Sequence, residues 1–389
     1  MKRIYIEGLG LIDGHFSGIG QYILGILRGM DQLIDESQST GKQYPPVYVI
    51  IPYDKVERFQ EFKFRHIRYK RLPIPFRYLA KLWHHSLVPP IDLWCGRGTY
   101  FFPRFVDMPL LFSRNAGLVI YDLSYELHRE FADEANARFL SAKVRRSLKR
   151  TSNIITISEN AKKEIVDFYK FSEKHVHVAT PATDQTILYK RSTKEIQRVK
   201  MKYGIEAENY ILALSNLEPR KNLQALVEAY CDLPQSKRNK TALLLVGVSG
   251  WKADALFADI IDRVANGYNI IRPSHYVDDK DKAAIISGAS LLVYPSHYEG
   301  FGMPPLEALA CGVPVITADN SSLPEVVKGV GAMVDVSKSN KPLERELANA
   351  MNNLVELQSL AHTAGPKRAS EFSWKKSAQV YFNIAQEKH

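Results

Sequence analysis

The chain has 389 residues, 45% of them hydrophobic, and a formal net charge of +10 at pH 7, which is enough material for two domains with separate apolar cores. No run of eighteen apolar residues occurs, and the first residues lead directly into an apolar strand, so we expect neither a transmembrane helix nor a secretory signal. The three cysteines, Cys95, Cys231 and Cys311, lie too far apart for a disulfide framework or a metal-binding pattern, which favours a reducing cytoplasm.

Apolar segments that predict strands alternate with helical periodicity along the chain, the pattern of a doubly wound α/β fold. In the first half, strands are predicted at residues 4–6, 47–51, 118–121 and 153–157. A glycine-rich loop at 14–20 leads into a helix, and Ser158 is placed to cap a later one. The polar stretch 179–184 has no periodicity and is interpreted as the exit from the first domain.

Basic and aromatic residues are concentrated in two parts of the first half. Residues 55–81 carry nine Lys or Arg residues interleaved with aromatic ones and opposed only by Glu57 and Glu61, and a second cluster comprises Lys143, Arg145, Arg146, Lys149 and Arg150. Such a surface suits the headgroup zone of an anionic membrane. The alternatives are a solvated face with its aromatic rings turned to the core and, least favoured, nucleic-acid binding, so we expect no nucleic-acid partner.

A second alternating series follows, with strands predicted at residues 210–214, 242–247, 270–271, 291–293 and 315–317. Arg220 and Lys221 come after the first of these strands and are predicted to open a helix led by Asn222. Cations are disfavoured at a helix N-terminus, so this pair indicates a local anionic partner such as a phosphate. The alternative is a basic pair on a solvated helix start. Residues 373–386 are predicted to form a last helix.

Two acids stand eight positions apart around a glycine turn in Glu299-Gly300-Phe301-Gly302-Met303-Pro304-Pro305-Leu306-Glu307. Apolar strands flank this segment, and Pro305 suits the first turn of a helix, so the turn is predicted at the carboxyl end of a strand in a βαβ unit. A helix N-terminus there offers free N–H donors to a phosphate, and the acids suit sugar hydroxyls. The alternative is a turn residue and a solvated helix residue.

These segments resemble a known family. The turn is similar to the E-x7-E signature of retaining glycosyltransferases of the GT-B fold, in family 4, and residues 217–222 resemble the variant donor-phosphate motif L-E-P-R-K-N. Weaker similarities are I-S-E-N-A-K at 157–162, G-I-G-Q-Y at 18–22, I-Y-D-L-S at 120–124, S-H-Y-V at 274–277 and F-S-W at 372–374.

The resemblance implies a GT-B fold, in which two Rossmann-like doubly wound domains face each other across a cleft. Residues 1–184 would form the N-terminal acceptor domain and 185–371 the nucleotide-sugar donor domain. Residues 372–389 would form a helix that returns to the N-terminal domain.

The resemblance also implies roles for individual residues. Arg220 and Lys221 would stabilise the departing diphosphate, and Glu299 would lie by the donor sugar, either as a nucleophile or, with front-face attack, as a positioning group. Glu307 would accept hydrogen bonds from the ribose hydroxyls. The rest of the donor site would comprise Gly300, Phe301, Gly302, Met303 and Leu306, with Tyr276 and Val277 by the nucleobase and Gly18 and Gly20 by the diphosphate.

Near the reacting centre, Tyr121 stands where the family has a histidine, which puts a catalytic imidazole in doubt. Asp122 would either orient the acceptor or cap the next turn. His15 is an alternative imidazole, although a lone loop histidine is usually without such a role. No D-x-D follows an apolar strand, and residues 278–281 resemble a helix start, so no metal or other cofactor is expected.

The resemblance favours GDP-mannose as the donor, with dTDP- or UDP-linked rhamnose, glucose or N-acetylhexosamine as alternatives. The acceptor would be a glycan or a polyprenyl-linked oligosaccharide of bacterial surface polysaccharide. The protein would be cytoplasmic and peripheral on the inner face of the cytoplasmic membrane. A non-catalytic sugar-nucleotide-binding subunit, or a GT-B epimerase or phosphorylase, are the alternatives from other classes.

Overall fold

The structure is a computed structural model that describes residues 2–12, 17–85, 89–250, 252–273 and 275–387. Two compact units divide the chain: the first comprises Met1–Pro181 together with Ser373–His389, and the second comprises Ala182–Phe372. Each unit is built on one parallel sheet with helices between successive strands, so the predicted α/β doubly wound class is confirmed.

The first unit contains a seven-stranded parallel sheet in the order β3-β2-β1-β4-β5-β6-β7 among the described residues. Its strands are β1 (Arg3–Glu7), β2 (Val47–Pro52), β3 (Arg68–Leu72), β4 (Gly98–Phe102), β5 (Ala116–Val119), β6 (Asn153–Thr156) and β7 (Val176–Val178). Its first helices are α1 (Leu9–Ile12), α2 (Gly18–Thr40), α3 (Val56–Gln60), α4 (Phe76–His85), α5 (Asp92–Cys95), α6 (Ser124–Leu127), α7 (Glu134–Leu148) and α8 (Glu159–Tyr169). The strand order reverses between β1 and β4, so the loops after these two strands leave a gap in which ligands of open α/β sheets bind.

Three strands of this sheet, β3, β4 and β7, were not predicted, and β5 was misplaced. β3 is an edge strand whose sequence, R-Y-K-R-L, is largely charged and exposed, and this hid it within the basic segment. β4 is apolar and buried. β5 begins at Ala116 and ends at Val119, so Tyr121 lies beyond the strand rather than at its end.

The last helix belongs to the first unit. Trp374 packs its ring onto Gly25 of α2, where a Cβ atom would lie 2.3 Å from the indole, and its backbone passes equally close to Gly29. Farther along, the Tyr381 hydroxyl lies 3.3 Å from that of Tyr22, and Asn115 Nδ2 donates to the Ile384 carbonyl at 3.0 Å. Glycines one turn apart thus let the two helices approach closely.

The second unit contains a six-stranded parallel sheet in the order β10-β9-β8-β11-β12-β13 among the described residues. Its strands are β8 (Asn209–Leu214), β9 (Thr241–Val246), β10 (Ile270–Ile271), β11 (Leu291–Tyr294), β12 (Val315–Ala318) and β13 (Ala332–Val334). Its helices are α9 (Thr193–Lys202), α10 (Leu223–Cys231), α11 (Gln235–Arg238), α12 (Asp254–Ala265), α13 (Asp279–Gly288), α14 (Met303–Ala310), α15 (Leu323–Val327), α16 (Lys341–Asn352) and α17 (Leu354–Ser370). The helix that follows in the first unit is α18 (Trp374–Gln386). Five of the six strands were predicted, and the order reverses between β8 and β11.

Among the described residues, none of the helices combines the length and the apolar composition needed to span a bilayer.

Candidate functional site

Arg220 and Lys221 lie just past the carboxyl end of β8. Both belong to a single 3₁₀ turn, Pro219–Lys221, and the next residue, Asn222, has a left-handed backbone with φ of 53°. Helix α10 then begins at Leu223. The prediction that these cations open the helix was therefore wrong, because asparagine tolerates the left-handed conformation and separates their turn from the helix.

The second segment of the site follows β11, the neighbour of β8. Its backbone is tied to the first segment by a hydrogen bond from the His297 N–H to the Arg220 carbonyl at 2.9 Å. The hydroxyl of Ser322 donates to the carbonyls of Glu299 and Phe301 at 2.8 and 2.9 Å, and this contact holds the backbone of the glycine turn in place. Since β8 and β11 flank the reversal of strand order, the two segments meet at the switch point of the sheet.

The structure brings Arg220, Lys221 and Glu299 together. Lys221 Nζ donates to Glu299 Oε1 at 2.6 Å and to the Tyr294 hydroxyl at 3.0 Å. Arg220 Nη1 donates to Glu299 Oε2 at 3.2 Å and to the Tyr298 carbonyl at 2.9 Å. The carboxylate therefore bridges two cations that come from a different strand end.

This cluster is buried and ionised. Glu299 and Lys221 are each only 7% exposed. Burial alone would raise the pKa of Glu299, but Lys221 and Arg220 outweigh it and lower that pKa to about 2. Burial likewise opposes the charge of Lys221, yet the facing carboxylate raises the pKa of Lys221 above its ordinary value. The site thus holds fixed charges of both signs out of water, where electrostatic interactions are strong.

The glycine turn ends in a helix N-terminus, as predicted. Gly302 has φ of 113° and precedes α14, which begins at Met303 and has Pro305 in its first turn. A Cβ atom on Gly302 would lie 2.8 Å from a Leu323 methyl group, so a side chain is excluded there. Phe301 and Leu306 are buried in the apolar core, so these residues can face a ligand only through their backbone.

Glu307 has a partner that the sequence did not indicate. Lys282 Nζ on α13 donates to Glu307 Oε1 at 2.6 Å, and the glutamate is 4% exposed. Burial would lower the pKa of Lys282, but Glu307 raises it above its ordinary value. Each acid of the E-x7-E segment therefore has its own lysine, Glu299 from the β8 side and Glu307 from α13.

The residues predicted to contact a nucleobase lie beside this pair. β10 ends at Ile271, so Tyr276 and Val277 fall outside the strand. Tyr276 is 67% exposed and near enough to Lys282 for that cation to oppose the raised pKa of the phenol. Its ring face is thus available to a planar ligand.

The predicted residues of the first unit are occupied by local contacts. The buried Tyr121 hydroxyl donates to the Pro103 carbonyl at 2.9 Å. Asp122 Oδ1 accepts from the N–H and hydroxyl of Ser124 at 3.0 and 2.8 Å, which is the capping alternative. Gly18 and Gly20 lie in the first turn of α2, not in a loop, because Ser17 caps that helix. His15 lies outside the described residues.

The basic and aromatic segment is divided in the structure. Phe59 is buried, and the rings of Phe62 and Phe64 pack against it, so these aromatics follow the alternative in which rings turn to the core. Tyr69 contacts the edge of the Phe59 ring but is exposed. Tyr78, by contrast, is half exposed on α4. In the second cluster, Arg145 pairs with Glu126, and Arg150 pairs with Asp107.

Within the described ranges, no three or more His, Cys, Asp or Glu side chains are grouped so as to hold a metal ion. The three cysteines are buried and free of disulfides.

Comparison with known proteins identifies the second unit. Residues 195–368 match the family described as glycosyl transferases group 1. The chain is 32% identical over 256 residues to the O-antigen chain mannosyltransferase B of Escherichia coli, and 29% identical over 272 residues to the serotype-specific mannosyltransferase WbdA of Escherichia coli. The first alignment covers 65% of each chain; the second covers 67% of this chain but only 32% of WbdA.

Solved structures share the fold over the whole chain. Anabaena HepE in complex with UDP and glucose superposes with a TM-score of 0.70 at 15% identity and covers 100% of both chains. WaaG, a glycosyltransferase involved in lipopolysaccharide biosynthesis, superposes with a TM-score of 0.66 at 17% identity over 99% of this chain and 100% of its own. The chain therefore has a GT-B fold, and residues 195–368 of its second unit match the glycosyl transferases group 1 family.

Proposed function

We propose that this protein is a glycosyltransferase that moves mannose from GDP-mannose, with retention and without a metal, to a glycan or polyprenyl-linked acceptor in bacterial surface polysaccharide synthesis. The observation that carries the proposal is the buried Glu299 carboxylate, held ionised between Arg220 and Lys221 beside the N-terminus of α14, in a matched group 1 domain. The mannosyltransferase names of the relatives support the choice of donor.

The chemistry asks for stabilisation of a leaving group. The bond between the anomeric carbon and the diphosphate oxygen breaks, the acceptor hydroxyl oxygen bonds to that carbon, and the hydroxyl proton passes to the departing phosphate. Negative charge therefore grows on the diphosphate. Arg220, Lys221 and the backbone N–H groups of Gly302 and Met303 are fixed donors for that charge, since Pro304 and Pro305 at the start of α14 have no N–H, and fixed donors of this kind lower such barriers.

The remaining residues orient the donor. Glu307 accepts hydrogen bonds from the ribose hydroxyls, Tyr276 stacks on the base, and Glu299 positions the sugar hydroxyls and the two cations. Because Arg220, Lys221 and the helix N-terminus offset the negative charge of the diphosphate, the proposed reaction needs no metal ion.

Donor turnover tests the proposal. GDP-mannose should raise the melting temperature more than UDP-glucose or dTDP-rhamnose, because a ligand that binds the native state stabilises it. Slow hydrolysis of GDP-mannose should be lost in Lys221→Ala. Lys200→Ala is the matched control, because Lys200 is a buried lysine of the same unit that bonds only to the Glu208 carbonyl among the contacts described.

Donor binding without turnover across acceptors would instead favour a non-catalytic subunit. Turnover of GDP-mannose that Lys221→Ala leaves intact would overturn the site. Activity lost on chelation and restored by a divalent cation would overturn metal independence.

A further inference from the structure

A cavity of about 320 Å³ lies in the first unit at the carboxyl edge of its sheet. It is lined by the ends of β1 and α4, the segment after β4 and the C-terminal half of α7. Glu7 at the end of β1 and Arg104 beyond β4 both contribute, so the cavity sits at the reversal of strand order, where open α/β sheets bind ligands. Its size is at the lower end of the range for small-molecule sites, about 300–1,000 Å³.

One wall of the cavity is cationic. Four cationic and two acidic side chains line it, a formal excess of two positive charges. Both acids already face an arginine: Glu7 pairs with Arg104 at 3.1 Å, and Asp107 accepts from Arg150 Nε at 2.8 Å. Asp107 also accepts from Ser147 on α7, which fixes this wall.

The other two cations, Lys143 and Arg146, stand three positions apart on α7 and so share one face of the helix. Burial lowers the pKa of Lys143, the nearby Arg146 and Arg150 lower it further, and Asp107 opposes them in part. The lining keeps an excess of positive charge, which a bound anion would offset. A phosphate, with several acceptor oxygens, matches such a group of donors.

Trp83, Met108, Pro109, Phe139 and Leu140 also line the cavity and form its apolar wall. Lys143 Nζ lies over the Phe139 ring, 5.7 Å from its centre, so this apolar wall adjoins the cations. The Trp83 indole is held by a hydrogen bond to the Pro89 carbonyl at 2.8 Å, and Phe139 is 50% exposed at the rim. An anion alone would leave this wall in water, and a sugar phosphate would place hydroxyls against it.

We propose that this cavity binds an amphiphilic phosphate ester, with Lys143 and Arg146 holding the phosphate and the apolar wall covering the first part of its hydrocarbon chain. The proposal rests on the proposed function only in naming a lipid-linked acceptor as one source of this chemistry. The other source is an anionic phospholipid headgroup.

Calorimetric titration with farnesyl phosphate tests the site, with farnesol and inorganic phosphate as the two half-ligands. Farnesyl phosphate should bind more tightly than either. Lys143→Gln and Arg146→Gln should each weaken it roughly tenfold, the loss of one charge-assisted contact. Lys149→Gln, the same change at the end of the same helix but outside the cavity and exposed, should leave it unchanged.

Retention on phosphatidylglycerol vesicles then separates the sources. Weaker retention of Lys143→Gln and Arg146→Gln, but not of Lys149→Gln, would assign the site to the phospholipid. Equal retention of all three, with farnesyl phosphate binding still lost in the first two, would assign it to the acceptor.

Several results would overturn the site: farnesyl phosphate binding that all three variants share, inorganic phosphate bound as tightly as the ester, or farnesol bound as tightly as the ester. Melting curves in the presence of GDP-mannose distinguish the failure of one proposal from the failure of the other. If GDP-mannose raises the melting temperature but farnesyl phosphate does not bind, only the cavity proposal is rejected. If farnesyl phosphate binds but GDP-mannose does not raise the melting temperature, only the donor site is rejected.

Discussion

Both units place cations near the reversal of strand order in their sheets, but in different ways. In the second unit, Lys221 after β8 faces Glu299 after β11, and the acid raises the pKa of the lysine. In the first unit, the cavity between β1 and β4 crowds Lys143 with other cations, and its pKa is lowered. In the second unit, Glu299 offsets the charge of Lys221 before any ligand binds. In the first unit, the excess positive charge of the cavity would be offset by a bound anion.

The difference in charge arrangement indicates a different role for each site. A carboxylate that bridges two cations fixes their geometry before the donor binds, which suits a site that must stabilise charge during a reaction. A cluster of cations with an apolar wall suits binding alone. Replacement of Glu299 in the second unit should therefore lower both catalytic rate and stability. Replacement of a cavity cation in the first unit should change only the affinity for the ligand of the cavity.

The largest effect is expected for Glu299→Gln. Turnover should fall by about 10²–10³, the usual loss when one fixed electrostatic partner of a reacting centre is removed. The free energy of unfolding should fall by about 3–5 kcal/mol, because Lys221 is left buried without its acid. Initial rates with GDP-mannose and chemical denaturation measure the two.

Glu126→Gln is the matched control for that change. Glu126 is a buried acid of the first unit that also faces two arginines, Arg129 and Arg145, at 3.0 and 3.2 Å. It should lose stability but keep its turnover number. An equal loss of turnover in both variants would mean that Glu299 acts only through the fold.

The same cluster sets a pH dependence of stability. The pKa of Glu299 is about 2 in the folded protein, against an ordinary value of 4.5. Its contribution is thus complete above pH 4.5 and is lost as the pH falls toward 2, since the unfolded chain takes up the proton first. Denaturation midpoints measured across this range should decline more steeply for the wild type than for Glu299→Gln. Parallel curves would contradict the charged bridge.

How much of this the sequence predicts depends on how local each signal is. Gly302 and the prolines after it are neighbours along the chain, so Pro305 was correctly placed in the first turn of α14. The pair between Lys282 and Glu307 joins two helices 25 positions apart, and no local pattern marks it. Strand β3 was missed because an exposed edge strand needs little apolar sequence.

A tenfold effect is expected for Lys282→Gln, because Lys282 orients Glu307 without contacting the reacting atoms. KM for GDP-mannose should rise by about tenfold, or about 1.4 kcal/mol, with kcat unchanged. Lys282→Arg should restore part of the loss. Lys280→Gln is the control, since Lys280 is 77% exposed on the same helix.

A donor without ribose hydroxyls sharpens this test. With a 2′,3′-dideoxy analogue of GDP-mannose, the wild type and Lys282→Gln should have the same KM, because the contact that Lys282 supports is then missing. A penalty that persists would mean that the lysine acts on the base or on the fold.

The smallest effect concerns the outer surface of the first unit. Edge strand β3 exposes Arg68 and Arg71, and each basic residue near an anionic bilayer contributes about 1 kcal/mol. Phosphatidylglycerol vesicles should retain the protein at low salt and release it at high salt. The Arg68→Gln, Arg71→Gln double variant should be retained less, whereas the same change at Lys328 and Lys338, exposed lysines of the second unit, should have no effect. Equal losses in both would mean that net charge, and not this edge strand, holds the protein to the membrane. The two units would then differ only at their ligand sites.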